Sequence, residues 1–147
     1  MRVEGTREFA APAQSVWDVL NDPASIASLL PGVASFEVAD DTHWSARVKV
    51  PLGMGGLKLK FAFTKLEERP IEFARLAAKG TGVGAMVNMD TSFTLTPKGD
   101  TTTHMAWEAD VRVAGPVGAM GQRVLEPIIR SKVDDVMTAL DKRLAEG

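Results

Sequence analysis

Cysteine is missing from all 147 residues. That excludes disulfides, thiolate nucleophiles, cysteine-based zinc sites and iron–sulfur clusters together. There is no basic surplus either: 17 lysines and arginines face 19 acids, a net charge of −2. Nothing in that balance would neutralise a phosphate backbone, so no nucleic-acid partner is expected. A bilayer-spanning run is also lacking. The longest uncharged stretch, Pro23 to Phe36, is too short and contains Pro23, Pro31 and Gly32. The opening MRVEGTREF places Arg2, Glu4, Arg7 and Glu8 where a secretory signal would need apolar residues. The expectation is a cytoplasmic chain with at most peripheral membrane contact.

Histidine is scarce. His43 and His104 are the only two, each on the polar side of an alternating segment. A zinc centre draws three or four protein ligands, so no metal site is expected. HExxH, GxSxG and cysteine–histidine pairs do not occur, and neither catalytic residues nor a cofactor are expected. Glycines 80, 82 and 84 lead into a strand rather than a helix, which is the wrong setting for a dinucleotide loop. The Pro51–Gly56 stretch lacks the lysine and following helix of a phosphate loop. Both read as loops that can flex over a cavity mouth.

What the chain does have is pattern. Hydrophobic residues at 45% and charged residues at 24% match an ordinary globular composition, read as one domain over 1–147. Residues 3–9 read as a strand. Ala11-Pro12 and Asp22-Pro23 then open two short helices, the second with aspartate at its N-cap and proline at its first position. Alternation follows in Ala34–Ala39, His43–Val50, Leu57–Thr64, Ile71–Lys79, Ala85–Thr96 and Thr102–Val113. Trp44, Phe61, Phe63 and Trp107 fall on the apolar side. Strict alternation implies an antiparallel sheet with one covered face.

From Pro116 to Glu146 the apolar positions Val117, Met120, Val124, Ile128, Ile129, Val133, Val136, Leu140 and Leu144 keep helical spacing. The predicted fold is therefore α+β. A curved antiparallel sheet of six to seven strands grips a long C-terminal helix, with two short helices after the first strand. Pro127 interrupts the helical hydrogen bonding and can bend the helix away from the sheet. The space so created would be lined by Phe61, Met89, Met105, Trp107, Met120, Val124 and Ile128. Methionine suits irregular apolar ligands, which makes these the candidate ligand-binding residues. Glu108 and Asp110 could instead serve as an acid/base group, but alternation sets them opposite Trp107. If the space is filled, the chain is a plain interaction subunit.

Phe9, Pro12, Val16-Trp17, Leu20, Asp22-Pro23, Leu30-Pro31-Gly32, Gly115-Pro116 and Gly121-Gln122-Arg123 resemble the family of carbon monoxide dehydrogenase G subunits. The element order resembles the START-like (SRPBCC, helix-grip) superfamily, whose members bind hydrophobic molecules between sheet and C-terminal helix. The resemblance implies a non-enzymatic accessory protein for a molybdenum hydroxylase, with a quinone or lipid as its small-molecule partner. It also implies membrane recruitment through a C-terminal extension in longer members, whereas this chain stops at Gly147. Cyclases and hydrolases elsewhere in the superfamily keep an enzymatic alternative in view.

Overall fold

The structure, a computed structural model, describes residues 1–30, 32–50 and 56–146. The glycine-rich loop expected from Pro51 falls, over 51–55, outside the described residues, as do Pro31 and Gly147. Seven strands form one antiparallel sheet: β1 (Arg2–Phe9), β2 (Val33–Asp40), β3 (His43–Val50), β4 (Leu57–Arg69), β5 (Phe73–Gly82), β6 (Ala85–Pro97) and β7 (Thr103–Ala114). Their order is β1-β7-β6-β5-β4-β3-β2. Strands β2 to β7 form a simple meander, and the first strand closes beside the last, with Gly5 opposite Trp107. Register shifts in β2 and at Lys65–Glu67 of β4 add a local twist to the open sheet.

Two short helices, α1 (Ala13–Asn21) and α2 (Pro23–Leu29), follow β1 as expected. Asp22 caps α2: its carboxylate accepts the Ala24 N–H at 3.3 Å and the Ser25 hydroxyl at 2.9 Å. The β2–β3 turn is built the same way. Asp40 accepts the Thr42 N–H at 2.8 Å and the Thr42 hydroxyl at 3.0 Å, with His43 Nδ1 also 3.0 Å away. The Thr42 backbone N–H above all, then His43 and the Thr42 hydroxyl, lower the Asp40 pKa from 3.8 to about 2. A lowered folded pKa means the carboxylate favours the fold above the ordinary value, and that contribution fades as pH falls through the folded one. Carbon-13 NMR titration should put the Asp40 midpoint near 2; a midpoint near 3.8 means the turn is open in solution.

The long helix differs from expectation at its start. α3 covers Gln122–Glu146, while Gly118–Met120 forms a separate 3₁₀ turn. The reason is local: Gly121 stands at φ 83°, a left-handed conformation that breaks helical phase. Val117 and Met120 are thus not on the helix, and its first buried residue is Leu125 rather than Val124. Pro127 lies inside the helix, as anticipated.

The sheet's inner face carries two separate hydrophobic clusters. One joins Phe9 of β1, Val16 and Trp17 of α1, Leu95 of β6 and Met105 of β7 to Met137 and Leu140 of α3. The other centres on Trp44 and Phe63, packed nearly parallel at 5.8 Å, with Ala46 and Ala78. It is covered by Ile26 and Leu30 around α2. Ion pairing anchors the second half of α3. Arg7 of β1 binds Asp141 and lies 3.7 Å from Asp134, and Arg143 donates to the Ser25 and Ser28 hydroxyls of α2 at 3.3 Å.

Candidate functional site

The first turns of α3, residues 122–132, join neither cluster. Val133, Val136, Met137, Ala139, Leu140 and Leu144 pack into the first, and no α3 residue is part of the second. Yet Ile128 and Ile129 share the face of the buried Leu125 and are themselves half-buried. Half-buried apolar residues also stand on the inner sheet face, among them Phe61, Val87, Met89 and Val113. Apolar surface left half-buried is where a hydrophobic ligand gains from burial, roughly 25 cal/mol per Å².

The expected lining residues divide into three groups. Phe61 and Met89 each pack half-buried against the second cluster. Met105 is buried in the first cluster at 3% exposure, and Trp107 packs against that cluster from its rim. Met120 and Val124 are exposed, at 44% and 41%, and Ile128 is half-buried on the helix face. The structure therefore places Phe61 and Met89 at the second cluster and Met105 and Trp107 at the first. It leaves Met120 and Val124 at the outside of the helix start.

Both half-buried aromatics owe their pose to a glycine. Phe61 is paired with Gly80 across β4 and β5, and a Cβ built on Gly80 would stand 2.7 Å from Phe61 Cε1. With no side chain there, the ring lies close against the bare backbone of β5. Periodicity shows that Phe61 points inward; only the register, which alternation does not encode, shows what it lies on.

Polar groups on the inner face are few and engaged. Lys65 donates to Asn21 Oδ1 at 2.7 Å and lies 3.4 Å from Glu68, and Thr91 donates to the Glu108 carbonyl at 2.9 Å. Glu108 and Asp110 belong to the outer face, with side chains half exposed and held by Arg2 and Arg112. On the same face the Arg75 guanidinium holds Asp90 below the usual carboxylate range. These acids form ion pairs in solvent with arginines of the same or the neighbouring strand, on the face opposite the hydrophobic clusters. Among the described residues no three His, Asp or Glu side chains gather as a metal site would require. Nor is any helix there long and apolar enough to cross a membrane.

The family of carbon monoxide dehydrogenase G subunits (CoxG) matches residues 5–145. No curated protein matches the chain in sequence. Among solved structures, a conserved protein from Geobacillus kaustophilus superposes with a TM-score of 0.93 at 23% identity, covering 99% of this chain and 96% of that one. A START superfamily protein from Mycobacterium smegmatis gives 0.75 at 16% identity, over 99% and 97% of the two chains. The Zhui aromatase/cyclase from Streptomyces sp. R1128 gives 0.74 at 18%, over 99% and 93%. At these identities the likeness establishes the fold, a helix-grip arrangement of antiparallel sheet and long C-terminal helix.

Proposed function

The chain belongs to the CoxG family of carbon monoxide dehydrogenase G subunits, and on that premise we propose that it is a non-enzymatic carrier of a hydrophobic molecule, a quinone or a lipid. The ligand lies between the inner sheet face and the first half of α3, against Phe61, Met89, Trp107 and Ile128. The carrier serves a molybdenum-containing hydroxylase of the carbon monoxide dehydrogenase type. Family and fold both point to hydrophobic-ligand binding; quinone and hydroxylase are the finer reading. One observation carries it: residues 122–132 of α3 join neither hydrophobic cluster although Leu125, Ile128 and Ile129 share an apolar face. An acid/base enzyme is the weaker reading, because Glu108 and Asp110 stand on the outer face.

The direct test is uptake. Incubation with a decyl-substituted benzoquinone, followed by gel filtration to remove free quinone, should leave a stoichiometric amount on the chain. Native mass spectrometry should show the same adduct. A chain that retains neither quinone nor a phospholipid offered in the same way is an interaction subunit with a filled core.

A further inference from the structure

We propose that the end of the molecule where the β3–β4 hairpin, the β5–β6 turn and the start of α3 meet docks on an anionic lipid bilayer, through exposed apolar side chains and the cations beside them. The proposal goes beyond the carrier reading and stands whether or not a ligand is carried. Three stretches of the sequence build this end: residues 47–60, 76–89 and 113–125. Lys49 pairs with Lys58 across the hairpin of the first. A Cβ on Gly82, at the end of β5, would run into the Lys58 carbonyl, so the second stretch lies against the first. The Val117 N–H donates to the Gly84 carbonyl at 3.0 Å, which ties the third to the second.

Charge is segregated onto this end. The three stretches contain Arg47, Lys49, Lys58, Lys60, Lys79 and Arg123 but no carboxylate, although acids outnumber lysines and arginines 19 to 17 over the chain. All six are exposed. Arg47 stands directly opposite Lys60, and Lys49 opposite Lys58, a placement of like charges that a sheet disfavours. Further along the same outer face Arg75 and Arg112 are paired with Asp90 and Asp110, whereas none of the six has an ion-pair partner among the described residues. Such a surface keeps its self-repulsion until an anionic partner relieves it.

The apolar side chains decide which partner. Four of the seven large hydrophobic residues exposed among the described residues belong to this end: Val83 at the β5–β6 turn is 95% exposed, and Met86, Met120 and Val124 lie between 41% and 47%. Exposed apolar residues scattered singly are ordinary, but a group of them beside unpaired cations is an interaction surface. An acidic protein or a nucleic-acid duplex would satisfy the cations and leave Val83 in water. A bilayer satisfies both, with anionic head groups for the cations and acyl chains for the apolar side chains. The surface is separate from the C-terminal end of α3, because the 25 residues of that helix carry the backbone about 37 Å away from it.

Vesicle flotation is the test. The protein should float with vesicles of phosphatidylcholine mixed with phosphatidylglycerol, stay behind with phosphatidylcholine alone, and be released as salt rises. Lys49→Gln combined with Lys58→Gln should weaken binding at least about tenfold, since each basic residue near an anionic surface contributes about fivefold. Val83→Ser should weaken it about threefold and leave the melting temperature unchanged, because that side chain is almost wholly exposed in the free protein. Absence of binding to the anionic vesicles at low salt, equal binding to phosphatidylcholine alone, or binding that survives the two lysine substitutions overturns the proposal. Binding that Val83→Ser leaves untouched, or a DNA duplex held as tightly as the vesicles, makes the surface a plain polyanion site and overturns it too. Quinone uptake is read separately, so failure of the carrier reading and failure of this proposal are distinct results.

Discussion

Leu140→Ala should lower the unfolding free energy by about 2–5 kcal/mol, whereas Ile128→Ala, in the first turns of α3, should cost about 1 kcal/mol or less. Leu140 is fully buried among Phe9, Trp17, Leu95 and Met105, so its removal leaves a cavity that fixed neighbours cannot fill. The Arg7–Asp141 and Arg143–Ser25 contacts also pin this part of the helix, which limits its collapse into the void. For a chain of this size such a loss corresponds to a fall of about 6–15 °C in melting temperature. Ile128 belongs to neither cluster and is only half-buried, so fewer packing contacts are lost. Thermal and urea unfolding of the two variants measures the contrast directly. Equal costs would mean that both halves of α3 are packed alike, and the gap beneath the first half would disappear with them.

Most of the sheet was legible because its chemistry is local. His43–Val50 alternates polar and apolar residues without a break, and it forms the strand with the expected bounds. Asp22-Pro23 announces a helix start through one side-chain acceptor and one missing N–H, and the cap is present. The helix start was misplaced for an equally local reason. Val117 and Met120 keep helical spacing with Val124, but Gly121 in a left-handed conformation breaks the phase between them. Leu125 consequently takes the buried position that periodicity assigned to Val124. Methionine content could not separate Met105, which is core, from Met89, which is half-buried against the second cluster, because both alternate inward. The pairings Gly5 with Trp107 and Phe61 with Gly80 depend on register between distant strands. Those pairings shape the candidate site, and they became visible only with the sheet assembled.

Ile128→Trp should abolish uptake of the decyl-substituted benzoquinone while changing stability by less than about 0.5 kcal/mol, the scale of a tolerated substitution outside a packed core. The side chain shares the face of the buried Leu125, so an indole there occupies the volume that the carrier reading assigns to the ligand. In an unfilled apolar gap the added ring meets methionine and aromatic surface that can accommodate it. In a close-packed interior the same ring would force neighbours off their rotamers and cost about 1–3 kcal/mol. Gly80→Ala attacks the same space from below. Its Cβ would press on Phe61 at 2.7 Å, lift that ring off β5 and shrink the gap, so uptake should fall without being lost. Equilibrium dialysis against the quinone, run beside urea unfolding on each variant, gives both readouts. Full uptake by an intact Ile128→Trp protein would move the ligand out from under the helix. A strongly destabilised variant, from a parent that takes up no quinone, would leave packed core where the carrier needs space.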